Sequence, residues 1–277
     1  MNQSKNRRDL YDSANRPHPS IEELRELIRF RDLIIQLVRR DLVSRYKRSI
    51  LGIAWTMLNP LGTMTILTIV FSRVFGRVES YPVYVLTGLI VWNFFSQTTR
   101  HCIDSTLWGS NLFQRIFLPR TAFIISSIGS GIINFLISLI PLSIIMVITG
   151  IPFKISIILI PFIILILAFF SLGVGLLLST YSIYFPDIAE MYTILLTAWM
   201  YLSPVIIPEE TLGTILNGWL LRLNPLYYLI KLFREIIYEG VFPSFEILII
   251  ALGISLTALL IGWIIFTEKS KEFAYYA

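Results

Sequence analysis

Five cations, Arg39, Arg40, Arg45, Lys47 and Arg48, crowd one short stretch. In a membrane chain such a cluster has two uses. It anchors a helix among lipid phosphates, the stems lying along apolar surface, or it binds a phosphate on the substrate. No other group of residues suggests chemistry. His18 and His101 are far apart, and neither sits with Asp, Glu or Cys. The single cysteine, Cys102, has no partner for a disulfide and no companions at metal-ligand spacing. Asp187 and Glu190 follow Pro186 at a helix start, where carboxylates suit the helix dipole. A phosphate-cradling Gly-rich loop, a nucleophile elbow and a His-Glu-x-x-His zinc motif are all missing from the sequence. No catalytic residue, no bound metal and no cofactor are therefore expected in this chain.

The elements that must position the cations are membrane helices. Of 277 residues, 55% are hydrophobic and only 15% charged, and mean hydropathy is +0.72. The charges sit in blocks and leave uncharged windows at 52–71, 83–99, 121–149, 155–185, 191–206 and 247–266. Each is near or above the ~17–25 residues that cross a ~30 Å hydrocarbon layer, the fifth borrowing 187–190 as its wet end. The windows are continuously apolar rather than alternating, so the expectation is six transmembrane helices and not a barrel. Lys and Arg number 17 on the side holding both termini and 6 on the other. Positive charge stays in the cytoplasm, which places the N- and C-termini there.

Residues 1–19 are polar, carry no secretory-signal pattern and read as a loose cytoplasmic arm. Ser20-Ile21-Glu22-Glu23 reads as a capping box that opens an amphipathic interfacial helix over 20–48. Its apolar face is Leu24, Leu27, Ile28, Ile34, Ile35, Val38, Leu42 and Tyr46. The transmembrane domain then runs over 49–267, with a cytoplasmic tail at 268–277. Asn59-Pro60 predicts a kink or break near Leu58. Ser126, Ser127, Gly129, Ser130 and Gly131, and later Gly173 and Gly175, read as packing surfaces where other backbones approach. Between the second and third spans, about 110–118 forms a short amphipathic helix ended by Pro119, either a bare connection or a docking element for a partner. Outside, about 208–240 forms two short helices with a break at Asn224-Pro225 and a glycine cap at Gly240. The six windows contain no Asp, Glu, Lys, Arg or His, so gradient-driven carriage is disfavoured and energy for uphill movement must come from another polypeptide.

The run Arg39-Arg40-Asp41-Leu42-Val43-Ser44-Arg45-Tyr46-Lys47-Arg48-Ser49-Ile50-Leu51-Gly52-Ile53-Ala54-Trp55, followed by Leu58-Asn59-Pro60-Leu61, resembles the opening of a known permease family. The family is the membrane subunits of type-2 ABC exporters for O-antigen, capsule and wall teichoic acid. The likeness continues through 88–95, 117–120, 184–187, Leu202-Ser203-Pro204-Val205 and Leu223-Asn224-Pro225-Leu226. It implies an all-α membrane protein in the bacterial cytoplasmic membrane: a homodimer, six spans per chain, an interfacial N-terminal helix and two re-entrant external helices before the last span. It also implies two P-loop ATPase subunits, which bind the ATP and Mg, docked on a coupling helix carrying Asn111, Leu112, Phe113, Arg115, Ile116 and Phe117. Arg39, Arg40, Arg45, Lys47 and Arg48 would then flank the lateral access for an undecaprenyl-diphosphate headgroup bearing glycan or polyol phosphate. Tyr84, Trp92, Phe95, Trp199 and Tyr201 would be channel aromatics. Membrane lipids are the other partner, and no nucleic acid is expected. Two other functions stay open: a permease for drugs or small lipids, and an intramembrane lipid-modifying enzyme, against which the lack of an acidic cluster argues.

Overall fold

A computed structural model describes residues 19–47, 49–76, 78–113, 119–270 and 272–273. Among the described residues eleven helices follow one another: α1 (Pro19–Arg29), α2 (Arg31–Tyr46), α3 (Ala54–Phe71), α4 (Tyr81–Phe113), α5 (Thr121–Thr149), α6 (Ile160–Tyr184), α7 (Ile188–Tyr201), α8 (Glu209–Ile215), α9 (Trp219–Leu223), α10 (Pro225–Arg234) and α11 (Phe245–Lys269). A 3₁₀ turn at Ile155–Leu159 leads into α6, and a π turn at Glu235–Glu239 extends α10. There is no strand among the described residues. Every uncharged window of the sequence holds a helix, although the fifth turns out of its helix after Tyr201. Four helices, α3, α5, α6 with its leading turn, and α11, are long and apolar enough to cross a membrane. The 33 residues of α4 reach about 50 Å, but Asn93, Gln97 and its threonines dilute the apolar character. With 14 residues, α7 reaches only about 21 Å, even with 188–190 serving as its polar start.

Small residues set the closest helix contacts, as their spacing predicts. A methyl group on Gly173 would lie 2.3 Å from the Ala258 carbonyl carbon, and one on Gly262 2.3 Å from the Gly173 carbonyl oxygen, so α6 and α11 meet backbone to backbone. Gly131 admits Thr98 of α4, Gly129 admits Val38 of α2, and Gly175 admits Cys102. Serines within α5 return their hydroxyls to carbonyls one turn back, as Ser126 and Ser127 both do to Phe123. Between these contacts one aromatic-rich core runs through α4, α5, α6 and α10. Phe95 packs on Phe170 at 5.4 Å, and Phe135 packs on Phe233 at 5.4 Å.

Several sequence expectations change. The N-terminal amphipathic helix is two helices, broken at Phe30 (φ −97°, ψ 21°). The break resets the helical phase, so Leu27 and Leu37 are buried against Ala122 and Phe123 while Leu24, Ile28 and Ile35 stay exposed. Ser20 and Glu23 are used across the fold: the Ser20 and Thr267 hydroxyls share a 2.8 Å hydrogen bond, and the Glu23 carboxylate accepts from the Thr121 N–H and Oγ1 at 3.2 and 2.7 Å. Glu23 thus caps α5 from another helix, satisfying an N-terminal donor with a negative charge where the dipole favours it. Pro60 lies inside an unbroken α3. Asn111, Leu112 and Phe113 belong to the last turn of α4 rather than to a separate short helix, because α4 has no breaker before them. Residues 114–118, with Arg115, Ile116 and Phe117, lie outside the described residues, as does the arm up to residue 18. The first external helix is two, α8 and α9, separated at Asn217 and Gly218, both at positive φ.

Candidate functional site

The bundle has two unlike ends. At one, α1, the starts of α5 and the ends of α6 and α11 converge. Trp263 Nε1 donates to the Ser20 carbonyl at 3.3 Å, the Tyr184 hydroxyl donates to Glu272 at 2.6 Å, and Arg120 lies over the Phe273 ring at 5.5 Å. The Tyr184 hydroxyl and Lys269 hold the Glu272 carboxyl below the usual carboxylate range. Burial, then the neighbouring Glu23 and Glu22, push the Glu26 carboxyl up. The chain's first and last described segments therefore share one end.

At the other end α10 is driven into the core. Asn224 caps it by accepting from the Leu226 N–H at 3.0 Å, and Gly240 ends its π turn in the left-handed conformation at φ 65°. The Asn224 amide makes three further bonds. It accepts from Trp199 Nε1 at 2.9 Å and donates to the Leu202 carbonyl at 3.0 Å and to Ser203 Oγ at 2.8 Å. The Leu-Ser-Pro-Val and Leu-Asn-Pro-Leu motifs, apart in sequence, are thereby one junction. Behind it Arg234, 5% exposed, lies 3.6 Å over the Tyr84 ring and donates to the Tyr84 hydroxyl at 2.8 Å and to the Tyr84 and Val205 carbonyls at 3.1 Å. Above it Glu209 of α8 accepts from Lys231 Nζ at 2.8 Å and from the Tyr227 hydroxyl, tying α8 to α10.

Between the ends, α3, α4 and α5 enclose a cleft of about 250 Å³. Its lining mixes apolar residues, among them Pro60, Ile90 and Phe135, with polar side chains and no Lys, Arg, Asp or Glu: Thr56 and Asn59 from α3, Asn93, Gln97, Thr98 and His101 from α4, and Ser127, Ser130, Asn134 and Ser138 from α5. Trp55 and Phe94 border it. Sequence reasoning took the serines for packing alone and missed the cleft. The signal was present, because Asn93, Gln97 and His101 recur at four-residue steps along one face of α4.

The sequence-derived residues scatter relative to these features. Arg39 and Arg40 are exposed on α2, and Arg40 is held by Asp41 at 2.9 Å. Lys47 is exposed just past the end of α2, Arg45 is in its last turn, and Arg48 lies outside the described residues. Tyr84, Trp92 and Phe95 are buried inside the chain and there serve packing: Tyr84 beneath Arg234, Phe95 between Phe170 and Trp199. Trp199 is half-buried on Asn224, and Tyr201 is exposed at the end of α7. No group of three or more metal-ligating side chains occurs among the described residues.

The chain resembles known proteins over nearly its full length. It is 29% identical over 260 residues to the O-antigen export system permease protein RfbA of Myxococcus xanthus, covering 92% of this chain and 98% of that one. To the protein of the same name in Klebsiella pneumoniae it is 24% identical over 245 residues, 88% of this chain and 94% of that one. To the polysialic acid transport protein KpsM of Escherichia coli it is 27% identical over 213 residues, 74% and 80% respectively. The family profile described as ABC-2 type transporter matches residues 32–238, from the start of α2 into the π turn after α10, and the chain belongs to that family of transporter membrane subunits.

Proposed function

We propose that this chain is the channel-forming permease of an ATP-driven exporter that moves a lipid-linked polysaccharide out across the bacterial cytoplasmic membrane. The carrying observation is a cleft that amides and hydroxyls help to line and that no Lys, Arg, Asp or Glu borders, set among helices whose uncharged windows hold no Asp, Glu, Lys, Arg or His. Such a bundle has no means of coupling to a proton or ion gradient, so the work is done by a separate ATPase. Six spans, cytoplasmic termini and a homodimer served by two ATPase copies complete the reading. The shared end of α1 and the 272–273 turn supports a common side for the termini, and the insertion of α10 into the core supports its re-entrant role.

In this scheme the segment after α4, with Asn111, Leu112, Phe113, Arg115, Ile116 and Phe117, seats in the ATPase. Residues Arg39, Arg40, Arg45, Lys47 and Arg48 meet an undecaprenyl-diphosphate headgroup at the membrane surface. Of the candidate channel aromatics, Tyr201 is exposed and Trp199 half-buried on α7. Glu23 bridges α1 to the residue that opens α5 and so ties the N-terminal helices to the far side of the ATPase segment. The experiment is co-purification with the ATPase together with surface-glycan measurement for Phe113→Glu/Ile116→Glu. Loss of both is expected; retention of both refutes the assignment.

A further inference from the structure

A bundle that only had to pack would close the gap between α3, α4 and α5 with apolar side chains, since in lipid every polar group must find a partner inside the protein. Asn59, Asn93 and Gln97 line that gap beside Ile90, Phe94 and Phe135, and none of the three side-chain amides hydrogen-bonds to another described residue. Gln97 and Asn59 are exposed and Asn93 is half-buried, so their amides remain available to an occupant. Each amide is at once donor and acceptor, the complement of a hydroxyl, and Trp55 and Phe94 add flat apolar faces to the same space. No Lys, Arg, Asp or Glu is among the lining residues. A carboxylate or phosphate taken into the cleft would lose its water and meet no permanent cation, His101 being the one titratable imidazole in the lining, which is costly; a hydroxyl loses nothing that an amide cannot return. The volume, about 250 Å³, lies just below the roughly 300–1,000 Å³ of ordinary ligand pockets, which suits one sugar unit rather than a chain segment.

We propose that the α3–α4–α5 cleft is a saccharide subsite selective for uncharged sugar units, so that the polymer handled here is a neutral glycan in preference to a polyol phosphate or an acidic polysaccharide. The proposal rests on the permease reading above and narrows its cargo. It makes Asn93 and Gln97 specificity-determining residues.

The test uses the detergent-purified complex of this chain with its ATPase, and equilibrium dialysis against two probes of equal length, maltohexaose and hexagalacturonic acid. Wild type should bind maltohexaose at least about tenfold more tightly than the acidic probe. Asn93→Leu and Gln97→Leu should each weaken maltohexaose binding by about two- to tenfold, the usual worth of a hydrogen bond in a binding constant. Gln97→Lys, at an exposed position that tolerates a long side chain, should shift preference toward the acidic probe. Equal or tighter binding of hexagalacturonic acid by wild type, or unchanged maltohexaose binding by both Leu variants, overturns the subsite while leaving ATPase association and export intact. Failure of the wild-type chain to hold the ATPase at all refutes the permease reading instead.

Discussion

Replacing Asn224 by alanine removes one side chain and four hydrogen bonds. The amide oxygen serves the Leu226 N–H at 3.0 Å and Trp199 Nε1 at 2.9 Å, while the amide nitrogen serves the Leu202 carbonyl at 3.0 Å and Ser203 Oγ at 2.8 Å. The residue is 8% exposed, so water does not readily replace it. At about 1 kcal/mol net per bond the loss is about 4 kcal/mol, with the cap supplying about 1 of it. For a chain of this size that lowers the unfolding midpoint by roughly 8–16 °C, at about 2–4 °C per kcal/mol. Asn224→Ser separates the two roles: its hydroxyl restores the cap to Leu226 but is too short to span the junction, so it should recover about 1 kcal/mol. Thermal unfolding of the three proteins in one detergent is the assay. An alanine variant within about 1 kcal/mol of wild type, or a serine variant equal to it, refutes the view that this amide joins the two motifs.

Gly262→Ala should destabilise by about 1–3 kcal/mol, because its methyl meets the Gly173 backbone. Gly253→Ala on the same helix, with open space around it, should be neutral or stabilising by up to about 1 kcal/mol, and the same thermal comparison ranks them. Glu23→Ala should cost about 1 kcal/mol and speed amide exchange at Thr121, whose N–H it accepts. Glu26 is held above the ordinary carboxylate range by burial and by Glu23 and Glu22, so its ionisation opposes folding at neutral pH. Glu26→Gln should therefore unfold at a higher temperature than wild type at pH 7. The two should converge once the pH falls below the unfolded value near about 4.3, where both forms are neutral; a constant offset across that range would contradict the stated cause.

The sequence by itself determined the class of the molecule and much of its framework. Runs without charge must be helical if they are to bury their own backbone bonds in lipid, and each of the six windows holds a helix, four of them long and apolar enough to span. Local signals were equally legible where they are backbone properties: Asn224-Pro225 opens α10, Gly240 closes its π turn, and Gly173 marks a close helix approach. Membership of the exporter family followed from ordered motifs along the chain. Other features depended on distance in space. Ser20 and Glu23 have capping-box spacing, yet their partners are Thr267 and Thr121, because a part-buried donor across the fold competes with the local one. Tyr84, Trp92 and Phe95 could have lined a pore or packed a core, since helical periodicity marks a face without saying what covers it, and only the neighbours Arg234, Phe170 and Trp199 decide that they are buried. The cleft, too, exists only once three helices bring amides from α3, α4 and α5 to one side, for a polar stripe on one helix becomes a site when its neighbours decline to fill the space opposite.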